Sequence, residues 1–307
     1  MPTPAPFRLP EDGSHYVRLI ISRCEEFART RLWSGIDVVR FRRWMTYFAD
    51  PLEQYFAACV LDRLIYRSSK HTRSLIKQLF QRSVPNLSRT RNLGAAGIAD
   101  WGEALRSQTD PGIRVVPVIR DDEPPTKSGP LLARLLRRYL QLNERWMIWP
   151  WQVERARKRG VHAFLFVDDF LGTGHQIRKF ATRIELQAAL GEAEAIYAPL
   201  IAYNMGLNRL SEKLPWLHCT CVEMLDNSYD LFTDSRAFFV DDGTNTPAAA
   251  QDYYVELMLR KGWAARRREA FGYGGLCLAV AFEHATPNAS LPILWKTQAD
   301  IIGLFDR

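Results

Sequence analysis

The residues best suited to chemistry in this chain lie in the segment AFLFVDDFLGTGHQ, residues 163–176. Four apolar residues, Phe164 to Val167, suit a strand buried on both faces. Asp168 and Asp169 follow at the strand's end, then Gly172, Thr173 and Gly174, then a helix. Glycines let a backbone turn tightly and approach an anion. A helix N-terminus presents unpaired amides and the positive end of its dipole to a phosphate. Thr173 adds a hydroxyl. Two adjacent carboxylates suit vicinal hydroxyls, or a hydrated Mg²⁺ near them. Phosphate at one end and a diol at the other describe a ribose 5-phosphate.

The elements that must position these groups are legible on either side. From Ile113 onward, strand patterns (RVVPVIR, VHAFLFVDDF, EAIYAPLIAYN, HCTCVEML, CLAVAFEH) alternate with helical ones (LLARLLRRYLQLN, QIRKFATRIELQAAL). That alternation predicts an α/β domain with a mostly parallel sheet. In such sheets ligands bind beyond the C-terminal strand ends. The polar junctions 120–130 and 168–176 both fall there. Residues 14–83 read as mostly helical, with Asp37 or Ser34 opening one helix, Asp50-Pro51 the next, and Ser68 or Ser69 a third. The run PLEQYFAACVLDRLIYR reads as one amphipathic helix. Residues 84–112 have the weakest pattern, so the expected domains are 1–105, basic and helical, and 106–307, α/β.

Composition excludes several classes. At 47% hydrophobic and 24% charged, the chain is neither disordered nor fibrous. Its longest apolar runs, YFAACVL and LCLAVAF, fall far short of the ~20 residues a membrane-spanning helix needs. The Pro-rich start MPTPAPFRLPEDG lacks the order of a signal peptide. Five cysteines, an odd number, make no disulfide framework, and a reducing cytoplasm is the expected setting. Cys219 and Cys221 read as small buried side chains rather than half a zinc site, because no second ligand cluster is present. The net charge is +7, and residues 1–110 hold most of it, with 17 Lys and Arg against 11 Asp and Glu. That excess predicts an acidic partner, nucleic acid first, for helices bearing Arg67, Lys70, Arg73 and Lys77.

The 163–176 segment resembles the phosphoribosyl-pyrophosphate (PRPP) motif of type I phosphoribosyltransferases: a hydrophobic strand, two acidic residues, two apolar residues and a short Thr/Gly phosphate loop. By this resemblance Asp168 and Asp169 would hold the ribose hydroxyls. Gly172, Thr173, Gly174, His175 and Gln176 would form the 5-phosphate loop, and Mg²⁺ would accompany PRPP. In RVVPVIRDDEPPTKSGPLLARLL, Lys127, Ser128 and Gly129 occupy the position of the family's pyrophosphate loop. The implied chemistry is transfer or removal of a ribosyl-linked group through an oxocarbenium-like transition state, with Lys127 stabilising departing pyrophosphate. Two departures stand out. Many purine-salvage members carry an acidic general acid/base where this chain has Gly172, which cannot serve. Gln176 replaces a usual Thr.

Together with the N-terminal helices and GYGGLCLAVAFEHATPNASLPILW (272–295), the motif is similar to phosphoribosyltransferase-like proteins of bacterial conflict systems. Some of these accompany retrons, and a winged-helix-like region precedes the Rossmann-like domain. The resemblance implies an antiviral-defence effector or effector subunit, with a reverse transcriptase and its RNA–DNA hybrid as partners. A non-enzymatic nucleotide sensor and a DNA-binding regulator are the alternatives. Two further features stay open in the sequence. Asn288 and Trp295 suit either a nucleobase, by amide bonding and stacking, or a structural turn with a packed indole. Trp146, Trp149 and Trp151 read as core or an interdomain plug rather than a stacking platform. The basic runs at 157–159 and 265–269 read as solvated helix ends.

Overall fold

The computed structural model describes residues 6–233, 242–298 and 300–307. The chain forms two compact units, residues 1–70 with 226–307, and residues 71–225. The expected boundary at 105/106 divides the chain differently: the first unit is assembled from two distant stretches, and the sheet-bearing unit is one continuous segment between them.

In the first unit α1 (Gly13–Arg29), α2 (Val38–Met45) and α3 (Pro51–Asp62) follow the expected pattern. The Asp37 side chain accepts from the Arg40 amide and Asp50 from the Glu53 amide, each satisfying an otherwise orphaned helix N–H. The long helix expected through DRLIYR stops at Asp62. Ile65–Arg67 is instead a strand, β1, paired in parallel with β7 (Val280–Phe282). The amphipathic period of IYR cannot reveal a partner 215 positions away, and that pairing overrides local propensity. It also moves Arg67 from a helix to a strand, and takes the CLAVAFEH strand out of the main sheet. No β-hairpin wing is present among the described residues before 105. The core of this unit is aromatic: Phe41, Trp44, Phe48, Phe56 and Tyr254 are essentially fully buried. Phe56 stacks on Tyr254 of α12 (Pro247–Arg260) at 5.4 Å.

α4 (Ser69–Gln78) continues through a π-helical turn at Leu79–Ser83 into α5 (Val84–Thr90), and α6 (Trp101–Ala104) is a single turn. Lys70, Arg73 and Lys77 are exposed on α4 at spacings of three and four, so they share a face.

The second unit is built on β2 (Ile113–Pro117), β3 (Ala163–Leu171), β4 (Glu194–Tyr203), β5 (Leu217–Cys219) and β6 (Glu223–Leu225). Every pairing is parallel, in the order β2-β3-β4-β5, with β6 paired to the far end of β4. HCTCVEML is thus two short strands that share one edge of β4. Pro199, which has no N–H to donate, sits in the gap between their pairings. α7 (Ser128–Leu140), α8 (Val153–Arg157), α9 (His175–Arg183), α10 (Leu186–Leu190) and α11 (Asn204–Lys213) connect the strands. Phe164, Phe166, Phe180 and Tyr197 fill the core. Of the three tryptophans expected as core, only Trp146 is buried, under the Arg114 guanidinium at 4.7 Å. Trp149 and Trp151 are exposed and stack on each other at 5.3 Å. No described helix is long and apolar enough to cross a membrane.

Candidate functional site

The acidic pair is not at an exposed strand end. β3 runs on to Leu171, and register pairs Asp168 with Pro199 of β4. Asp168 is 1% exposed and Asp169 8%. A strand end is where its ladder partner lets go, and the ten-residue β4 keeps hold through Ala202. Each carboxylate accepts the next residue's amide, Asp169 N–H to Asp168 at 3.0 Å and Phe170 N–H to Asp169 at 2.8 Å. The Tyr197 hydroxyl donates to Asp168 Oδ2 at 3.1 Å. Burial, then the Asp169 charge, then a hydrogen bond with the Asp169 side chain push Asp168 well above the usual carboxylate range. Two adjacent buried carboxyls disfavour being ionised together, and Asp168 is the one pushed up. Burial and the Asp168 charge raise Tyr197 as well, so its phenol stays neutral. An acid held neutral donates a hydrogen bond. It is a poor ligand for Mg²⁺, which wants ionised oxygen. Asp168 as placed does not fit that ion, and no cluster of metal-ligating side chains is present among the described residues.

Beyond β3 the chain turns through Gly172, Thr173 and Gly174 into α9 as expected. Gly174 occupies the helix N-cap with φ +77, in the left-handed region that favours glycine, and contributes no capping side chain. The first turn of α9 therefore has no side-chain cap. A neighbour the sequence did not reveal holds this turn. A Cβ on Gly206, in α11, would come 2.1 Å from the Gly172 carbonyl oxygen, so the helix presses directly on the loop. A lone glycine inside a helical pattern was the available signal.

Along one face of α9, from His175 to Arg183, lies a depression of about 430 Å³. Arg178, Lys179 and Arg183 line it from α9, and Arg120 from the loop after β2. Among the candidate residues, only His175 joins that lining. Asp121 neutralises Arg183 at 3.1 Å and Asp122 neutralises Arg120 at 3.0 Å. Arg178 and Lys179 are exposed and have no ion pair among the described residues. Burial and the neighbouring Lys179, Arg178 and Arg120 charges lower His175 below its ordinary range. Its imidazole is therefore neutral near pH 7 until an anion arrives.

Lys127, Ser128 and Gly129 start α7, outside this depression. Lys127 is exposed. Gly129 is a packing glycine: a Cβ there would sit 2.7 Å from the Val118 carbonyl oxygen. Thus Arg120, not Lys127, brings a cation from the post-β2 loop to the α9 turn. Cys219 and Cys221 are half-buried free thiols, raised by burial to about 12 and about 11, the unreactive state expected of them.

A parallel sheet flanked by helices, with an acidic pair leading through a glycine turn to an uncapped helix, defines a phosphoribosyltransferase-like α/β protein. The chain belongs to the PRTase-CE family, whose model matches residues 41–307 and so takes in parts of both units. No curated protein matches the chain.

Proposed function

We propose that this chain is an effector, or an effector subunit, of a bacterial antiviral-defence system, and that its 71–225 unit binds PRPP or a ribose 5-phosphate nucleotide. One observation carries the reading: α9, whose N-terminus has no side-chain cap, lines one depression with His175, Arg178 and Lys179, and Arg178 and Lys179 have no ion pair among the described residues. Helix amides, the dipole and free cations all favour a phosphate there. In this reading the 173–176 amides hold the 5-phosphate, the Asp168/Asp169 pair faces the ribose hydroxyls, and Mg²⁺ travels with the ligand's pyrophosphate oxygens. The retron context, with a reverse transcriptase and its RNA–DNA hybrid, is the finer form of the proposal.

A second reading, a nucleotide sensor without turnover, is favoured by two features. Gly172 offers no general acid or base, and Asp168 is buried, raised and engaged by Tyr197. Lys70, Arg73 and Lys77 on one exposed face of α4 support nucleic acid as a partner.

Calorimetry with PRPP and Mg²⁺ tests the phosphate site. Saturable binding by the parent protein, lost in Arg178→Glu/Lys179→Glu, is the expected result. Undiminished binding by that double variant overturns the site. Incubation of PRPP with nucleotides or nucleic acid then separates the two readings, since only the enzyme consumes it.

A further inference from the structure

We infer that the first unit carries a second ligand site, for a nucleotide, in the cavity formed by the 263–275 and 288–307 segments. The cavity holds about 700 Å³, within the range of small-molecule pockets. It gathers the glycine segment 272–275, Asn288 and Trp295, which the 71–225 unit does not use.

Its wall is built rather than incidental. A Cβ on Gly272 would lie 2.6 Å from the Ala289 carbonyl oxygen, so the two segments touch backbone to backbone. The Tyr273 amide donates to the Asn288 carbonyl at 2.7 Å, which ties the two backbones together where both residues line the cavity. The Trp295 indole is fixed by its own N–H, which donates to the Ser290 carbonyl at 2.9 Å. The Arg307 guanidinium lies 4.2 Å over that ring. A planar base finds stacking surface on Tyr273 and hydrogen-bond groups on Asn288.

Charge supplies the other half of the ligand. Arg268, Lys296 and Arg307 line the cavity against a single carboxylate, Glu269. Neither Arg268 nor Lys296 has an ion-pair partner among the described residues. An apolar metabolite would leave these cations unanswered, and a bare phosphate would leave the aromatic wall unused. A base carrying a phosphate satisfies both. Trp263, 2% exposed, also stands in the wall.

The test is calorimetry on the full chain with AMP, GMP, CMP and UMP, and with inorganic phosphate. Tryptophan fluorescence gives a second readout from Trp263 and Trp295. At least one nucleotide should bind saturably and more tightly than phosphate. Lys296→Glu should weaken it about tenfold or more, the value of one charge-assisted contact. Asn288→Ala should narrow the gap between nucleotide and phosphate. Asn288 is exposed and Lys296 half-buried, and a melting curve checks each fold. Because the α9 site is itself proposed to take a ribose 5-phosphate nucleotide, the titrations are repeated in Arg178→Glu/Lys179→Glu, where PRPP binding should be lost and the nucleotide binding that persists is that of this cavity, so the two sites fail separately. Absence of saturable nucleotide binding overturns the inference. So does binding that ignores both substitutions, or binding lost only in Arg178→Glu/Lys179→Glu.

Discussion

Both units bury carboxylates, and two of these, Glu53 and Asp168, are treated in opposite ways. In the first, the Glu53 side chain is 5% exposed and takes Arg260 and Lys261 at 2.7 Å each, plus the Ala49 amide at 2.9 Å. Burial alone would raise its pKa, but the Lys261 and Arg260 hydrogen bonds outweigh it and hold the group below its usual range. In the second, Asp168 has a tyrosine, a backbone amide and a like charge, with no cation. Its pKa goes up. A buried charge that is fully answered serves architecture; a buried acid pushed up beside another acid is a cost to the fold and marks a candidate site.

The contrast breaks most visibly at Glu53. Glu53→Ala strands Lys261, itself mostly buried, and should cost about 3–5 kcal/mol in denaturant melts. A loss below about 1 kcal/mol would mean that the pair is no more than a surface bridge. Next in size is Gly174→Val, which forces a branched side chain into φ +77 with Leu210 and the Gly206 carbonyl 3.3–3.4 Å from the new Cβ. The expected stability loss is roughly 1–3 kcal/mol, together with loss of PRPP binding in calorimetry. Undiminished PRPP binding by this variant would count against the α9 phosphate site.

Asp168→Asn/Asp169→Asn should do the reverse to stability. With no acid left to keep neutral, the fold should gain on the order of 1 kcal/mol near pH 7 while ligand binding disappears. The pH dependences sharpen this contrast. Glu53, lowered in the fold, contributes stability above its ordinary pKa and loses it as pH falls through the folded value. Asp168, raised in the fold, holds an extra proton there, so stability falls as pH rises from the ordinary carboxylate range to the folded value. Melting curves across pH should therefore show a shallower acid-side slope in a Glu53→Gln variant and a shallower fall with rising pH in Asp168→Asn. The smallest effect belongs to His175. Its lowered pKa means that phosphate affinity should climb only at mildly acidic pH. His175→Ala should flatten that climb in pH-stepped calorimetry.

Much of this was legible in the chain. The caps Asp37 and Asp50, the α/β alternation and the 163–176 motif all rest on local pattern, which sequence carries directly. What escaped was non-local. Whether β3 stops at Val167 or runs to Leu171 depends on how long β4 stays beside it, so the burial of Asp168 could not be read from AFLFVDDF. Tyr197, 29 positions on, became its partner only through the register. Arg178 and Lys179 lie within QIRKF, where a basic pair on a helix reads equally well as a solvated face. Trp149 and Trp151 looked like core because tryptophan usually is. The β1–β7 pairing had no local trace at all.

That pairing sets a timetable. Ile65 finds Val280 only after 215 further residues have been made, which at translation rates takes about ten to forty seconds. The strands of the larger sheet all come from residues 113–225 and have no such wait. On the ribosome, α1–α3 must therefore stand with part of their aromatic core uncovered while the segment that follows is already complete. Phe56 meets Tyr254 only near the close of that interval. A ribosome-bound chaperone that shields apolar helices would have its longest engagement with the first seventy residues of this chain.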